Sequence, residues 1–299
     1  MPGPVAGCLT VSASVHPARP TARRRGPARR LLEARGVIGG HEAPHVNARL
    51  VAADGTRLVG SYLPGPGSAA AVLLLHGFAA NRRKPAYARL ADGLSSHLGV
   101  LALDLRGHGD SEGWSTLGDR EVDDVVAGVD WLRRVGHRRV VVVGLSMGAT
   151  ATMHAASTGL DLAGVVVISA TAWFRMEPET EVMQRLERLW GSPAQRRWLR
   201  LLVGIHLAGP DQWRGPPHPE QMVGAVEAPL LVVHGEDDAY FPVDDAGRLV
   251  RAAAGPATLW REPAGFGHAE DGVSPAFVAA LGEAIVACLD SGVFPDRAT

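Results

Sequence analysis

Lysine is nearly missing from this 299-residue chain: 29 of its 30 basic residues are arginine, and Lys84 is the exception. The skew reads as codon usage in a GC-rich genome, not as an arginine field built for a polyanion. Cysteine is scarce too. Cys8 and Cys288 are too few for a disulfide framework, which points to a reducing compartment, the cytoplasm. No run of about 18 apolar residues occurs, so no membrane span is expected. The 12 histidines are scattered, with no H-E-x-x-H and no paired cysteines, so no metal is expected. Neither G-x-x-x-x-G-K-[ST] nor G-x-G-x-x-G is present, and no cofactor of any kind is expected.

What is present is ordinary for a globular protein, with 46% hydrophobic and 20% charged residues. A chain of this size buries roughly three-quarters of its unfolded surface and needs no staples. The net charge of −1 conceals an asymmetry. Residues 1–36 hold seven arginines and one acid, Glu33, while the rest holds 23 basic and 30 acidic residues. The first stretch is rich in proline, alanine and glycine and has no apolar periodicity. It is expected to be a disordered tail, residues 1–40, ahead of one domain over 41–299. It lacks the apolar core of a secretory signal, and Arg23-Arg24-Arg25 is not a convincing twin-arginine leader. Nucleic-acid binding by this tail is not expected.

The most informative segment is Val140–Val143 running into Gly144-Leu145-Ser146-Met147-Gly148, followed by the helix-like Ala149–Ala156. G-x-S-x-G at a strand-to-helix junction is the nucleophile elbow, a turn tight enough to lift the serine hydroxyl off the sheet. A side chain at either glycine would collide with the neighbouring strand or helix. The elbow also sets Ser146 at a helix N-terminus, where free N–H groups favour a developing negative charge. Alone, the motif also fits a plain turn with a capping serine.

The flanking chain alternates strand and helix. Ala48–Ala53 and Thr56–Tyr62 around Asp54-Gly55 read as a β-hairpin with a type I′ turn. Short apolar runs follow at 71–75, 100–103, 140–143, 165–168, 230–233 and 257–260. Between them, 121–135 carries a helical stripe of Val122, Val125, Val126, Val129 and Leu132, and 275–289 reads as a terminal helix. This predicts an α/β fold with a mainly parallel central sheet and helices on both faces. Residues 171–228 exceed the usual connection length and hold four of the seven tryptophans, so a small helical cap is expected there. Trp173, nearest the sheet, is the candidate for the substrate pocket, although tryptophans in such an insertion also serve simply to pack it onto the core.

His76-Gly77-Phe78, Asp104-Leu105-Arg106-Gly107-His108-Gly109-Asp110-Ser111, the elbow, His234-Gly235-Glu236-Asp237-Asp238 and Gly267-His268 together resemble an α/β-hydrolase-fold serine hydrolase. The similar group includes lysophospholipases, monoacylglycerol lipases and serine-aminopeptidase-like proteins, and the resemblance spans about residues 48–290. It implies a serine–acid–histidine order, with Ser146 as nucleophile, His268 as base and Asp238 as acid through the G-x-x-D pattern. Asp237 is the alternative acid, and Glu236 and whichever aspartate is not the acid are expected to be solvated. The implied oxyanion hole is the backbone N–H of Met147 and of Phe78. His76 is read as a brace for its turn, and Arg106–Gly109 as a tight loop beneath the site. An aspartate or cysteine elbow would imply other chemistries, and the His-Gly-Gly-Pro-Gly loop of prolyl aminopeptidases is replaced here by His76-Gly77-Phe78-Ala79-Ala80.

The expected activity is hydrolysis of a carboxylic ester with a small or medium, mostly apolar acyl group, the partners being that substrate and water. A thioesterase or acyltransferase with the same residues is the alternative enzyme. A ligand-binding receptor with little turnover is the alternative of another class.

Overall fold

The computed structural model describes residues 39–67, 69–174 and 180–297, so all but the last two residues of the expected tail lie outside the described residues. Strands β1 (Val46–Val51), β2 (Arg57–Leu63), β3 (Ala70–Leu75), β4 (Gly99–Asp104), β5 (Arg139–Leu145), β6 (Gly164–Ile168), β7 (Leu230–Gly235) and β8 (Ala257–Glu262) form one sheet. Their order is β1-β2-β4-β3-β5-β6-β7-β8. The pairs β1/β2 and β2/β4 are antiparallel, and every later pair is parallel.

The helices are α1 (Pro85–Leu94), α2 (Val122–Arg134), α3 (Met147–Ser157), α4 (Glu181–Gly191), α5 (Pro193–Val203), α6 (Pro219–Val223), α7 (Asp244–Ala252) and α8 (Pro275–Ser291). Strand alternation divides the core between two faces. In β3, Ala71, Leu73 and Leu75 pack with residues of α2, α3, α6 and α7. Ala70, Val72 and Leu74 point the other way, towards α1 and α8. Both faces are therefore dry, which is why these strands read as unbroken apolar runs.

The opening hairpin departs from its expected turn. Ala52 N–H donates to Thr56 carbonyl at 2.9 Å, and Gly55 N–H to Ala52 carbonyl at 2.9 Å. Only Gly55 has a positive φ in this turn, 86°. A type I′ turn needs two such residues, so this is the longer loop in which a type I turn closes on a left-handed glycine. The Asp54 carboxylate accepts Thr56 N–H at 3.1 Å, a local bond that holds the aspartate in the turn without a left-handed backbone.

Between β6 and β7 the chain leaves the body. Thr180 and Ser192 cap α4 and α5 by accepting the N–H of Met183 and Gln195. Neither helix has a buried residue, and Trp198, Leu201 and Leu202 are each 61% exposed. The return segment is pinned by a bridge between Ser115 and Leu207. The last part of the stretch, α6, rejoins the body against α3, and Glu220 N–H donates to Ala172 carbonyl at 3.0 Å. No helix among the described residues is long and apolar enough to cross a membrane.

The start of α3 lies hard against the end of β3. A Cβ at Gly148 would sit 2.7 Å from Leu75 carbonyl oxygen and 2.8 Å from that of His76. A Cβ at Gly191 would meet nothing within 4 Å. Gly148→Ala should therefore cost about 1–3 kcal/mol through overpacking. Gly191→Ala should be neutral or slightly stabilising, by up to ~1 kcal/mol. Thermal melts of the two variants against the parent check the contrast.

Candidate active site

Strand β5 ends at Leu145 and the next residue takes φ 51° and ψ −114°, a conformation that costs a side-chain-bearing residue about 1–3 kcal/mol. It is held from both sides. Ser146 N–H donates to Ile168 carbonyl at 2.9 Å on β6, and Ser146 carbonyl accepts the N–H groups of Ala149 and Thr150 in α3. The glycines behave as the motif requires, since a Cβ at Gly144 would lie 2.3 Å from Gly148 carbonyl oxygen.

The hydroxyl so presented meets His268. Ser146 Oγ lies 2.9 Å from His268 Nε2, and His268 Nδ1 lies 2.8 Å from Asp238 Oδ2. The Asp238 side chain is fully buried and that of His268 is 11% exposed. The other oxygen of Asp238 accepts Tyr240 N–H at 2.8 Å and Phe241 N–H at 3.1 Å. Burial pushes this carboxyl upwards, but the bond and charge of His268 and these two N–H groups outweigh it and hold the acid below its ordinary value. The acid thus stays ionised beside the imidazole, and the ring keeps its proton on Nδ1 and its lone pair on Nε2, towards the hydroxyl.

The loop after β3 supplies the facing backbone. His76 is buried; its Nδ1–H donates to Gly77 carbonyl at 2.8 Å and its Nε2 accepts Leu105 N–H at 3.0 Å. His108 Nδ1–H donates to Arg106 carbonyl at 3.0 Å while its Nε2 accepts Ala79 N–H at 3.3 Å. Gly77 N–H donates to the phenol of Tyr87 at 2.9 Å. The carbonyl before Phe78 and the N–H after it are therefore committed. Among the described residues no protein acceptor takes the N–H of Phe78 or of Met147. A Cβ at Gly77 would lie 3.3 Å from Ser146 Cβ, so this loop abuts the serine. Two free N–H groups beside a serine–histidine–carboxylate chain suit attack on a carbonyl and stabilisation of the resulting oxyanion.

A match to the alpha/beta hydrolase family covers residues 72–288. The chain belongs to that family. The uncharacterized protein YqkD of Bacillus subtilis (strain 168) is 31% identical over 169 residues, 54% of this chain and 53% of that protein, so the match spans about half of that relative's length. Among solved structures, the Pyrococcus furiosus esterase Pf2001 superposes with a TM-score of 0.61 at 23% identity, over 81% of this chain and 91% of that one. The esterase RhEst1 from Rhodococcus sp. ECU1013 gives 0.62 at 20% identity, over 82% and 99%. At these identities the likeness is one of fold.

Other parts of this α/β hydrolase lie where sequence reasoning had no hold. Asp237 was expected to be solvated; although exposed, it accepts Gly265 N–H at 2.7 Å and Gly267 N–H at 2.9 Å. Those backbone bonds draw its carboxyl below the ordinary value and tether the loop that carries His268. The G-x-x-D pattern singles out the carboxylate that meets the imidazole, but nothing in the acidic cluster shows that its neighbour ties the loop. The Tyr240 ring stacks on His268 with centroids 4.1 Å apart, and Phe241 meets the same imidazole edge-on at 5.5 Å. Their places two and three residues past Asp238 were the available signal.

Arg106 is committed to structure, its guanidinium bonded to Asp124 and Asp54 at 2.7 Å each. Trp173 stacks on His218 at 3.5 Å with the Arg248 guanidinium 5.8 Å from its ring centre. Ring contacts continue from His218 through Phe174 and Trp213 to Trp190 on α4, so these aromatics join cap to body. Beside α5, a cavity of about 500 Å³ is lined by Trp114, Leu201, Leu207, Arg196, Arg197 and Arg200.

Two outcomes follow from these bonds. Asp237→Ala should lower catalytic turnover measurably but less than Asp238→Ala, as the imidazole loses its tether and not its partner; steady-state kinetics of both variants on one ester checks the order. Burial and neighbouring His76 push His108 down to about 3, and burial lowers His76 as well. Both are neutral in the fold, whereas the unfolded chain takes up their protons near pH 6.5. Stability should be full above about pH 6.5 and fall as pH drops from there towards about 3. Urea midpoints should already decline between about pH 6.5 and 5, and His108→Gln should flatten the slope.

Proposed function

We propose that this α/β hydrolase is a serine hydrolase of carboxylic esters working through an acyl-enzyme. The observation that carries the reading is the continuous chain from Ser146 Oγ through His268 to Asp238, with spacings of 2.9 and 2.8 Å. Ser146 attacks the ester carbonyl as His268 Nε2 takes its proton. The N–H groups of Phe78 and Met147 hold the oxyanion, each worth about 2.7–4 kcal/mol where such donors have been removed elsewhere. Asp238 stabilises the imidazolium. His268 then protonates the leaving alkoxide, and water, deprotonated by the same imidazole, releases the acid and restores Ser146.

The substrate is read as an ester with a small or medium, mostly apolar acyl group, hydrolysed in the cytoplasm without a cofactor. A cap of two short helices offers little length for a deep tunnel. Esters should be cleaved before amides, whose poorer leaving group demands more of the proton transfer from His268. A thioesterase or acyltransferase would use the same groups, and a panel of esters, thioesters and acyl acceptors separates them. A receptor would show no burst of product with a chromogenic ester.

Ser146→Ala and His268→Ala should each lower kcat by roughly 10⁶, and the double variant should lose little more, because the residues act as one unit. Asp238→Ala should cost less, by ~10⁴. Labelling by a fluorophosphonate that persists in Ser146→Ala would put the nucleophile elsewhere.

A further inference from the structure

The one lysine of the chain lies at the end of a polar chain that reaches the oxyanion loop. Lys84 is ion-paired with Oε1 of Glu270. The other oxygen of Glu270 accepts the phenol O–H of Tyr87 at 2.6 Å, and the same phenol oxygen accepts Gly77 N–H at 2.9 Å. Tyr87 is 1% exposed. Burial and the Glu270 carboxylate raise its phenol well above the ordinary value, so it remains a donor to the carboxylate and an acceptor from the loop at once. Gly77 immediately precedes Phe78, and Glu270 stands two residues beyond His268, in the 3₁₀ turn Ala269–Gly272. The chain of bonds therefore joins the loop that offers an oxyanion donor to the loop that carries the base.

Lysine matters here by its shape. Glu270 must divide its two oxygens between two donors, and an ammonium is a point donor that takes one and leaves the other for Tyr87. A guanidinium presents a planar fork that spans both oxygens of a carboxylate. Arginine occupies the other 29 basic positions of the chain, and at position 84 it would compete with the phenol.

We propose that Lys84, Glu270 and Tyr87 are positioning residues that hold the Phe78 N–H in register with His268, and that position 84 requires a one-point cation. The inference rests on the serine-hydrolase reading. Tyr87→Phe removes the link to Gly77 and should lower kcat roughly tenfold or more, short of the ~10²–10³ for outright loss of an oxyanion donor, with KM nearly unchanged. Affinity for a trifluoromethyl ketone, a tetrahedral mimic, should fall by a similar factor. Lys84→Arg keeps the charge and lies at a half-exposed position, so Tm should hold while kcat and ketone affinity drop several-fold. A merely structural ion pair would tolerate arginine in both readouts. Wild-type kcat and ketone affinity in Lys84→Arg overturn the one-point requirement, and the same in a folded Tyr87→Phe overturns the positioning role. A parent protein that fails to take up a fluorophosphonate at Ser146 overturns the hydrolase reading itself, which the variant kinetics alone would not.

Discussion

The strained backbone of Ser146 is the constraint on which the rest of the site depends. With φ 51° and ψ −114°, the residue turns the chain from β5 into α3 within a single position. That turn is possible only where strand and helix come close enough to exclude side chains at Gly144 and Gly148. The strain is over-determined by the bond to Ile168 and by the first turn of α3, both anchored in a core buried on two faces. Because α3 starts against the ends of Leu75 and His76, the same close approach sets the loop after β3 beside the serine.

Around that loop the distribution of hydrogen bonds matters more than the identity of any one residue. Gly77 carbonyl, Gly77 N–H and Ala79 N–H each have a buried partner, in His76, Tyr87 and His108. Once its neighbours are satisfied, Phe78 N–H is left without a protein acceptor among the described residues. Neutral imidazoles suit the task because each can donate through one nitrogen and accept through the other without placing a charge in the core. Burial is what keeps them neutral, so the packing that forms the fold also fixes the chemistry of the brace.

The acidic loop after β7 divides its work in a similar way. Asp238 takes the imidazole and two N–H groups of its own loop, while adjacent Asp237 takes two N–H groups of the loop carrying His268. Two neighbouring carboxylates thus reach the same segment, so one loop both pairs with the imidazole and secures its backbone. Tyr240 then lies over the imidazole face, covering it.

Much of this protein was legible in its sequence. The strand cores of the parallel sheet were visible as apolar runs because both faces are buried, and the elbow because only glycine tolerates those two close approaches. The order of Ser146, Asp238 and His268 followed from strand ends and from the family resemblance. What the sequence could not express was the direction of side chains in loops. The turn at Asp54-Gly55 was misjudged because one carboxylate bond outweighed a dipeptide preference. Asp237 passed for a solvated acid because its partners lie 28 and 30 residues away. No sequence pattern singled out Tyr87, and Lys84 looked like an accident of composition. Only the tertiary structure could join them through Glu270 to Gly77, because a hydrogen bond depends on where atoms meet in space and those residues are 183 and 10 positions apart along the chain.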